Sequence, residues 1–361
     1  MSVPTQPTGA IPSDPAGTAP AGTAPVLQSA AQPNEDGLMT AVVQDGYGST
    51  DVLRVMRMPR PEIAGHDVLV RVHAAGLAKG AWHMMTGTPY LLRAVAGLRS
   101  PRQQVLGNNL AGTVAAVGSA VTRFSVGDEV YGVGRGTFAH YCAARADKLA
   151  LKPASLSFEQ AAVVPVSGLT ALQAVADVGR VGAGQRVLVL GAAGGVGSFA
   201  VQVARAAGAE VTGACRGSKA DFVRSLGAAH VLDYARQDFA DGSECYDVII
   251  NIAGNPKLAR LCRALTRRGT AVIVGGEEGG RWTGGMIQMQ VAARVLSLFT
   301  GQHLTSSLCK ERGSDLERLT TLIESGEVQP RIDSSYPLAD AARAMQRLES
   351  GDVRGSVVLM V

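Results

Sequence analysis

No C-x-x-C pair occurs among the five cysteines, Cys142, Cys215, Cys245, Cys262 and Cys309. Their wide spacing and odd number argue against a disulfide framework and a thiolate zinc lobe, and fit a reducing compartment. The histidines (His66, His73, His83, His140, His230 and His303) show no i, i+4 pairing, so they read as surface or packing residues rather than ligands. Basic residues are equally unclustered. The 34 Lys and Arg leave a net charge of +4 without the stripe or patch that nucleic acid requires. Residues 1–36 have neither Lys nor Arg and no continuous apolar core, which excludes a signal peptide. Their Pro, Ala, Thr and Gly, with the tandem "AGTAPAGTAP", predict a disordered tail.

What the chain does have is apolar material for sizeable cores: 46% hydrophobic against 18% charged residues, with length for about two domains. One uncharged run, Val187–Ala204, approaches membrane-spanning length. A central glycine cluster would break a spanning helix, and the apolar period changes across it. A soluble, cytoplasmic protein is expected, with no membrane or nucleic-acid partner.

From Gly37 to about Lys152 the pattern is strand-rich. "DVLVRVHAAGL" (Asp67–Leu77) alternates as a strand, and Gly112–Gly134 reads as short strands joined by turns at Gly118 and Gly127-Asp128. "AWHMMTGTPYLLRAVAG" between them reads as a short helix and loop. Such a series suggests a barrel-like antiparallel domain. Near Ser155 the period changes. Ser157, followed by Glu159 and Gln160, signals a helix start. Beyond it strands at Arg186–Leu190, Glu210–Ala214, His230–Leu232, Tyr246–Ile252 and Thr270–Val274 alternate with helices at Gly195–Ala207, Ser218–Leu226 and Lys257–Leu265. That alternation predicts a doubly wound parallel sheet. The last stretch, two helices, an extended piece and the strand "GSVVLMV", is too small for its own core and is expected to complete the first domain.

The run "VLVLGAAGGVG" joins a buried strand to an amphipathic helix. In a dinucleotide-binding unit glycine serves the tight turn, the approach of the pyrophosphate and close helix–strand packing, while the helix N-terminus offers N–H groups to the anion. A lone G-x-G-x-x-G is weak evidence. Here the first glycine is Ala192, ahead of Gly194 and Gly197, and the strand–turn–helix setting carries the assignment. NAD-binding chains place Asp or Glu about 20 residues beyond the motif for the ribose hydroxyls. This chain reads "GACRGSK" there. Without an acid, Arg216, Ser218 and Lys219 suit the extra 2′-phosphate of NADP(H).

With "VLGNNLAGTVAAVGSAVTRFSVGDEVYG", "AAVVPVSGLTALQAV", "GAAGGVG", "SLGAAHVLDY" and "SGDVRGSVVLMV", the chain resembles the medium-chain dehydrogenase/reductases from about Ala41 to Val361, in their zinc-free quinone-oxidoreductase-like branch. The resemblance implies an α/β architecture: a GroES-like β-rich catalytic domain plus a doubly wound parallel-sheet (Rossmann) cofactor domain. The expected layout is a tail at 1–36, the catalytic domain at 37–155, the cofactor domain at 156–308 and a return segment at 309–361. It implies roles by position. Thr170 matches a residue that hydrogen-bonds near the nicotinamide. Gly194, Gly195, Val196 and Gly197 match the pyrophosphate loop. Ser218, Lys219 and Tyr234 match positions bordering the adenosine phosphate, and Ala253, Gly254, Val274 and Gly275 match loops along the nicotinamide. It also implies a homodimer.

Zinc-dependent relatives carry "GHE" where this chain has Gly107, Asn108 and Asn109, and cysteines in the stretch "AGLAKGAW" and at Val166. Amides and aliphatics are poor zinc ligands, so no zinc is expected. Many zinc-free relatives read "VNPxDW" where Ala78 and Ala81 stand, and an acid is common at Asn109. Without a Lewis acid, hydride transfer to a quinone or enone is easier than alcohol oxidation, because charge delocalises onto an oxygen that one donor can satisfy. Tyr90, with His83 as alternative, is the candidate donor. NADPH-dependent reduction of such a small molecule is the expected function. The lost polar positions keep two alternatives open: a reductase-derived protein doing non-redox chemistry, and a non-enzymatic NADPH-binding protein.

Overall fold

Alternation along Asp67–Leu77 puts Val68, Val70, Val72 and Ala74 on one buried face, and this strand organises the first sheet. The computed structural model describes residues 37–275, 292, 293, 296 and 301–361; the expected tail at 1–36 lies outside the described residues. A ribbon of β1 (Leu38–Gln44) and β2 (Leu53–Pro59) precedes β3 (Asp67–Leu77). Helix α1 (Lys79–Thr86) and the short α2 (Arg93–Ala96) follow, then β4 (Asn109–Val117), β5 (Glu129–Val133), β6 (Tyr141–Arg145) and β7 (Leu149–Leu151). β3 pairs antiparallel with β4 and β6, and β5 lies between β4 and β7.

The helix start at Ser157 forms a reciprocal capping box with Gln160, opening α3 (Phe158–Ala162). The helical spacing then breaks, because Pro165 has no N–H to continue the ladder. It instead occupies the first turn of a new helix, α4 (Pro165–Leu172), which widens into a π-helical turn at Gln173–Val178.

The second sheet is wholly parallel. It contains β8 (Arg186–Leu190), β9 (Glu210–Cys215), β10 (His230–Asp233), β11 (Tyr246–Asn251), β12 (Leu265–Ile273) and β13 (His303–Ser306), in the order β10-β9-β8-β11-β12-β13. Helices α5 (Gly195–Ala206), α6 (Ala220–Ser225) and α7 (Leu258–Ala264) supply crossovers. The order reverses between β8 and β11, and crevices at such reversals are where open α/β sheets bind ligands. β12 begins five residues before the expected Thr270, since Leu265 already pairs with Tyr246 ahead of a register shift that the polar "TRRG" conceals from alternation.

The chain end then runs through α8 (Gly313–Glu324), β14 (Ile332–Pro337), α9 (Ala341–Glu349) and β15 (Ser356–Met360). β15 lies antiparallel against β3, with β14 on its far side. α8 packs on α4 and β7. The buried Tyr131 hydroxyl donates to the Leu316 carbonyl at 2.7 Å, and Gln173 bridges Asp315 and Lys310. One apolar cluster runs from Ala74, Ala111 and Tyr131 of the first sheet to Val187, Val189 and Ile250 of the second. Both sheets thus share a core that fixes the crevice between them. No helix among the described residues is long and apolar enough to cross a membrane.

His73, on β3, is held by Thr113 at 2.9 Å and lies against the Phe158 ring. Burial, aided by the Arg71 guanidinium, lowers its pKa below the usual 6.5. The unfolded chain therefore binds a proton that the fold resists, and stability falls as pH drops through 6.5. The urea midpoint is expected to be lower at about pH 5.5 than at about pH 7.5, and His73→Gln should reduce the difference.

Candidate functional site

The four glycines of "GAAGGVG" do different work. Gly191 follows β8 at φ +84, where a Cβ would stand 2.7 Å from that of Ala253. Gly197 is a packing requirement: its Cβ would stand 2.1 Å from the Gly191 carbonyl oxygen. Gly195 lies under the hydroxyls of Ser167 and Ser356, each 3.2 Å from where a Cβ would be. Gly194 is different. It is extended, and a Cβ there would meet only the Gly191 oxygen at 3.8 Å, so this glycine faces open space. No side-chain hydrogen bond caps α5. The N–H groups of its first turn, from Gly195, Val196 and Gly197, thus lie beside bare backbone and suit an anion.

The carboxyl ends of the neighbouring strands form the other wall. Ile252 and Ala253 donate to the Leu190 carbonyl, while Val274 and Gly275 donate to that of Asn251. Gly254, at φ +81, has open space around its Cβ position. Asn251 itself is fully buried, and neither side-chain amide atom has a partner. An orphaned amide at this lip fits a site completed by something else; sequence reasoning missed it because an Asn ending a strand is unremarkable. Thr170 is buried on α4, and its hydroxyl donates to the Val166 carbonyl at 2.6 Å. The Cys309 thiol, also hydrogen-bonded to Thr170, is pushed up in pKa by burial.

At the end of β9 the residues named for the adenosine phosphate do come together. Arg216 is exposed and hydrogen-bonds Tyr234. Lys219 is buried, and its ammonium donates to the carbonyls of Gly351 (2.7 Å) and Val353 (3.0 Å), with its pKa lowered chiefly by burial. Arg354 reaches the Ser218 carbonyl at 3.0 Å, and Arg216 meets Asp352 at 3.0 Å. These residues line an open cavity of about 720 Å³ together with Asp333 and Arg347, which form a bidentate pair. The turn Arg216–Lys219 after β9 carries no acid, yet the fold delivers Asp352 to it. Arg354 and Asp352 were not foreseen, because the return segment that carries them is remote in sequence. A larger cavity, about 810 Å³, opens at the amino ends of the parallel strands beside Arg180, Asp247 and Arg268, on the opposite edge from the crevice.

The candidate proton donors have other attachments. His83 on α1 is bonded through Nδ1 to the Thr88 carbonyl at 2.6 Å. Tyr90 follows in a single 3₁₀ turn, and the Arg93 guanidinium lies over its ring at 4.8 Å and over that of Tyr47 at 4.5 Å. That sandwich shapes the Lys79–Gly97 excursion. Ala81 is buried in the core of the first sheet. Asn109, buried on β4, accepts from the Val166 N–H at 2.8 Å and donates to the Gly76 carbonyl at 3.2 Å. It is a joint between the sheet and α4, and the amide fills both roles at neutral pH where an ionised carboxylate could only accept. Among the described residues no group of three or more His, Cys, Asp or Glu is arranged to hold a metal.

An alcohol dehydrogenase GroES-like domain model matches residues 64–155, and a zinc-binding dehydrogenase model matches residues 226–359. The chain is 31% identical to a mitochondrial NAD(P)H oxidoreductase of Bos taurus, across 90% of this chain and 89% of that one. It is 30% identical to a 2-methylene-furan-3-one reductase of Solanum lycopersicum, across 87% of this chain and 76% of that one. The structure of Escherichia coli quinone oxidoreductase complexed with NADPH superposes with a TM-score of 0.78, at 27% identity, over 89% of this chain and all of that one (100%).

Two substitutions separate the glycine roles. Gly197→Ala is expected to cost more than about 3 kcal/mol in urea unfolding, since two backbone segments must part. Gly194→Ala should leave stability within about 1 kcal/mol yet weaken dinucleotide binding about tenfold in a fluorescence titration. Asn109→Asp, which faces the Gly76 carbonyl with a carboxylate, is expected to destabilise by about 2–3 kcal/mol at neutral pH, less when the acid is protonated.

Proposed function

The chain belongs to the medium-chain dehydrogenase/reductases, in their quinone-oxidoreductase-like branch, and from that premise we propose that it reduces quinones or α,β-unsaturated carbonyls with NADPH, without zinc. That it is an NAD(P)H-dependent reductase follows from its relatives. The choice of NADPH rests on one observation: Arg216 is an exposed guanidinium at the end of β9, in a cavity that also holds Arg354 and Lys219. A bound nicotinamide supplies the hydride; the protein supplies position and a dry cleft.

Each part of the chain has a task in that scheme. The first turn of α5 would hold the pyrophosphate against Gly194, whose missing side chain admits it. Arg216 would pair with the 2′-phosphate, with Ser218 and Tyr234 on its border. Lys219 acts at one remove, since its bonds to Gly351 and Val353 hold the return loop in place. Thr170, Ala253, Gly254, Val274 and Gly275 would line the nicotinamide end. The zinc-free reading is supported by donor chemistry. The stretch "AGLAKGAW" holds no cysteine, Asn108 and Val166 are an amide and an aliphatic, and the neighbouring Asn109 is engaged with backbone on both sides. With no Lewis acid, the acceptor must delocalise the charge it receives, which favours a quinone or enone over a saturated ketone. Tyr90 and His83 stand as the candidate donors to that oxygen.

Loss of NADPH absorbance over a panel of quinones and enones tests the reaction, with turnover expected to survive a chelator. Saturated alcohols with NADP⁺ should give none. Arg216→Ala is expected to weaken NADPH about tenfold or more while NADH changes less than about twofold. Equal loss for both dinucleotides would remove the phosphate from Arg216.

A further inference from the structure

The turn Arg216–Lys219 carries no acid of its own, but the fold brings two acids to it. Asp233 lies beneath Gly217, and its Oδ1 accepts the Ala235 N–H at 3.1 Å, so it closes its own turn. Of these two, Asp352 is the one that lines the cavity, whose other acid, Asp333, is already paired with Arg347. Its Oδ1 accepts from Arg216 Nη1 at 3.0 Å, across the seam between the parallel sheet and the return segment.

We propose that Asp352 sets the cofactor selectivity of this reductase. Its carboxylate occupies Arg216 where the 2′-phosphate of NADPH would bind, and it offers an acceptor to the 2′-hydroxyl of NADH. The proposal rests on the assignment of the 2′-phosphate to Arg216. A carboxylate on the ribose hydroxyls is how NAD-binding sheets recognise that sugar. Here the acid comes from the return loop rather than from the strand end.

The geometry makes the exchange local. Lys219 holds the carbonyls of Gly351 and Val353, one on each side of Asp352, so the backbone at this point is clamped from both directions. Gly355, next along, donates its N–H to Ala193 in the glycine-rich turn. The Asp352 carboxylate can thus leave Arg216 without displacing the backbone that carries it. The Arg216 and Asp352 side chains are 58% and 55% exposed, so water screens their attraction and replacement is easy. A phosphate monoester carries nearly two negative charges at neutral pH against one for the carboxylate, and takes the guanidinium. Arg354, anchored on the Ser218 carbonyl, remains beside it. The displaced carboxylate then stands near an anion of like sign, which holds NADPH affinity below what Arg216 alone would give. With NADH there is no phosphate, and the carboxylate is an asset.

The effects of removing it therefore have opposite signs. Asp352→Asn should tighten NADPH about fivefold and weaken NADH about fivefold, as read by fluorescence titration of the full chain at fixed ionic strength. Asp352→Glu, which keeps the charge, should stay within about threefold of the unaltered ratio. If Asp352→Asn leaves the ratio unchanged, or weakens both dinucleotides alike, the carboxylate only braces Arg216 and the proposal is overturned. Arg216→Ala, measured alongside, tells the two failures apart. If it leaves the NADPH preference intact, the phosphate does not bind there and the proposal falls with the assignment beneath it. If it abolishes the preference while Asp352→Asn does nothing, the assignment stands and only the role of Asp352 is lost.

Discussion

A buried ammonium holds the turn after β9 against the return segment. Lys219 sits at the seam between the parallel sheet and the return segment, where burial would cost it dearly without partners. It finds them in the Gly351 and Val353 carbonyls. Because those carbonyls belong to the last fifty residues, the loop that carries Asp352 and Arg354 is fixed against the turn that carries Arg216 and Ser218. The same loop continues to Gly355 and Ser356, which touch Ala193 and Gly195 of the glycine-rich turn. This surface is thus assembled from two segments remote in sequence, and Lys219, Arg216 and Arg354 all bond across the seam between them.

What the sequence made legible was whatever leaves a local trace. The strands Asp67–Leu77 and Arg186–Leu190 appear with the expected bounds, because alternation and a short apolar run are read within a few residues. The glycine cluster was legible as a strand-to-helix turn, although its members could not be ranked. Only in the fold does Gly197 prove to be a steric necessity and Gly194 an opening. The helix after Ser157 was legible at its start and not at its break, since Pro165 opens a helix as readily as it ends one.

The remainder was hidden because it depends on pairing across sequence distance. Nothing near Asp352 announces that it will meet Arg216. Nothing near Asn109 announces the Val166 N–H and the Gly76 carbonyl. The loss of an acid at position 109 looked like a change in the chemistry of the pocket. In the fold it looks like a change in construction: Asn109 ties β3, β4 and α4, with Gly76 bare so that α3 can lie against it. Ala81, likewise, is in the core, where a carboxylate would require a buried partner.

Those departures bear on which acceptors the cleft suits. Positions 81 and 109 hold Ala and Asn, with no carboxyl group, His83 is bonded to the Thr88 carbonyl, and Tyr90 is stacked on Arg93. A reaction that needs a strong general acid at the moment of hydride transfer would find none preassembled on the α1 side. A conjugated acceptor does not make that demand, because the electron pair it receives spreads to an oxygen that a weak donor or water can protonate afterwards. The same features that look like damage when measured against relatives with more polar pockets are coherent for an acceptor that does its own charge delocalisation. On the proposed reading, selection falls less on the reacting carbon than on the far end of the cofactor, where Arg216, Arg354 and Asp352 meet.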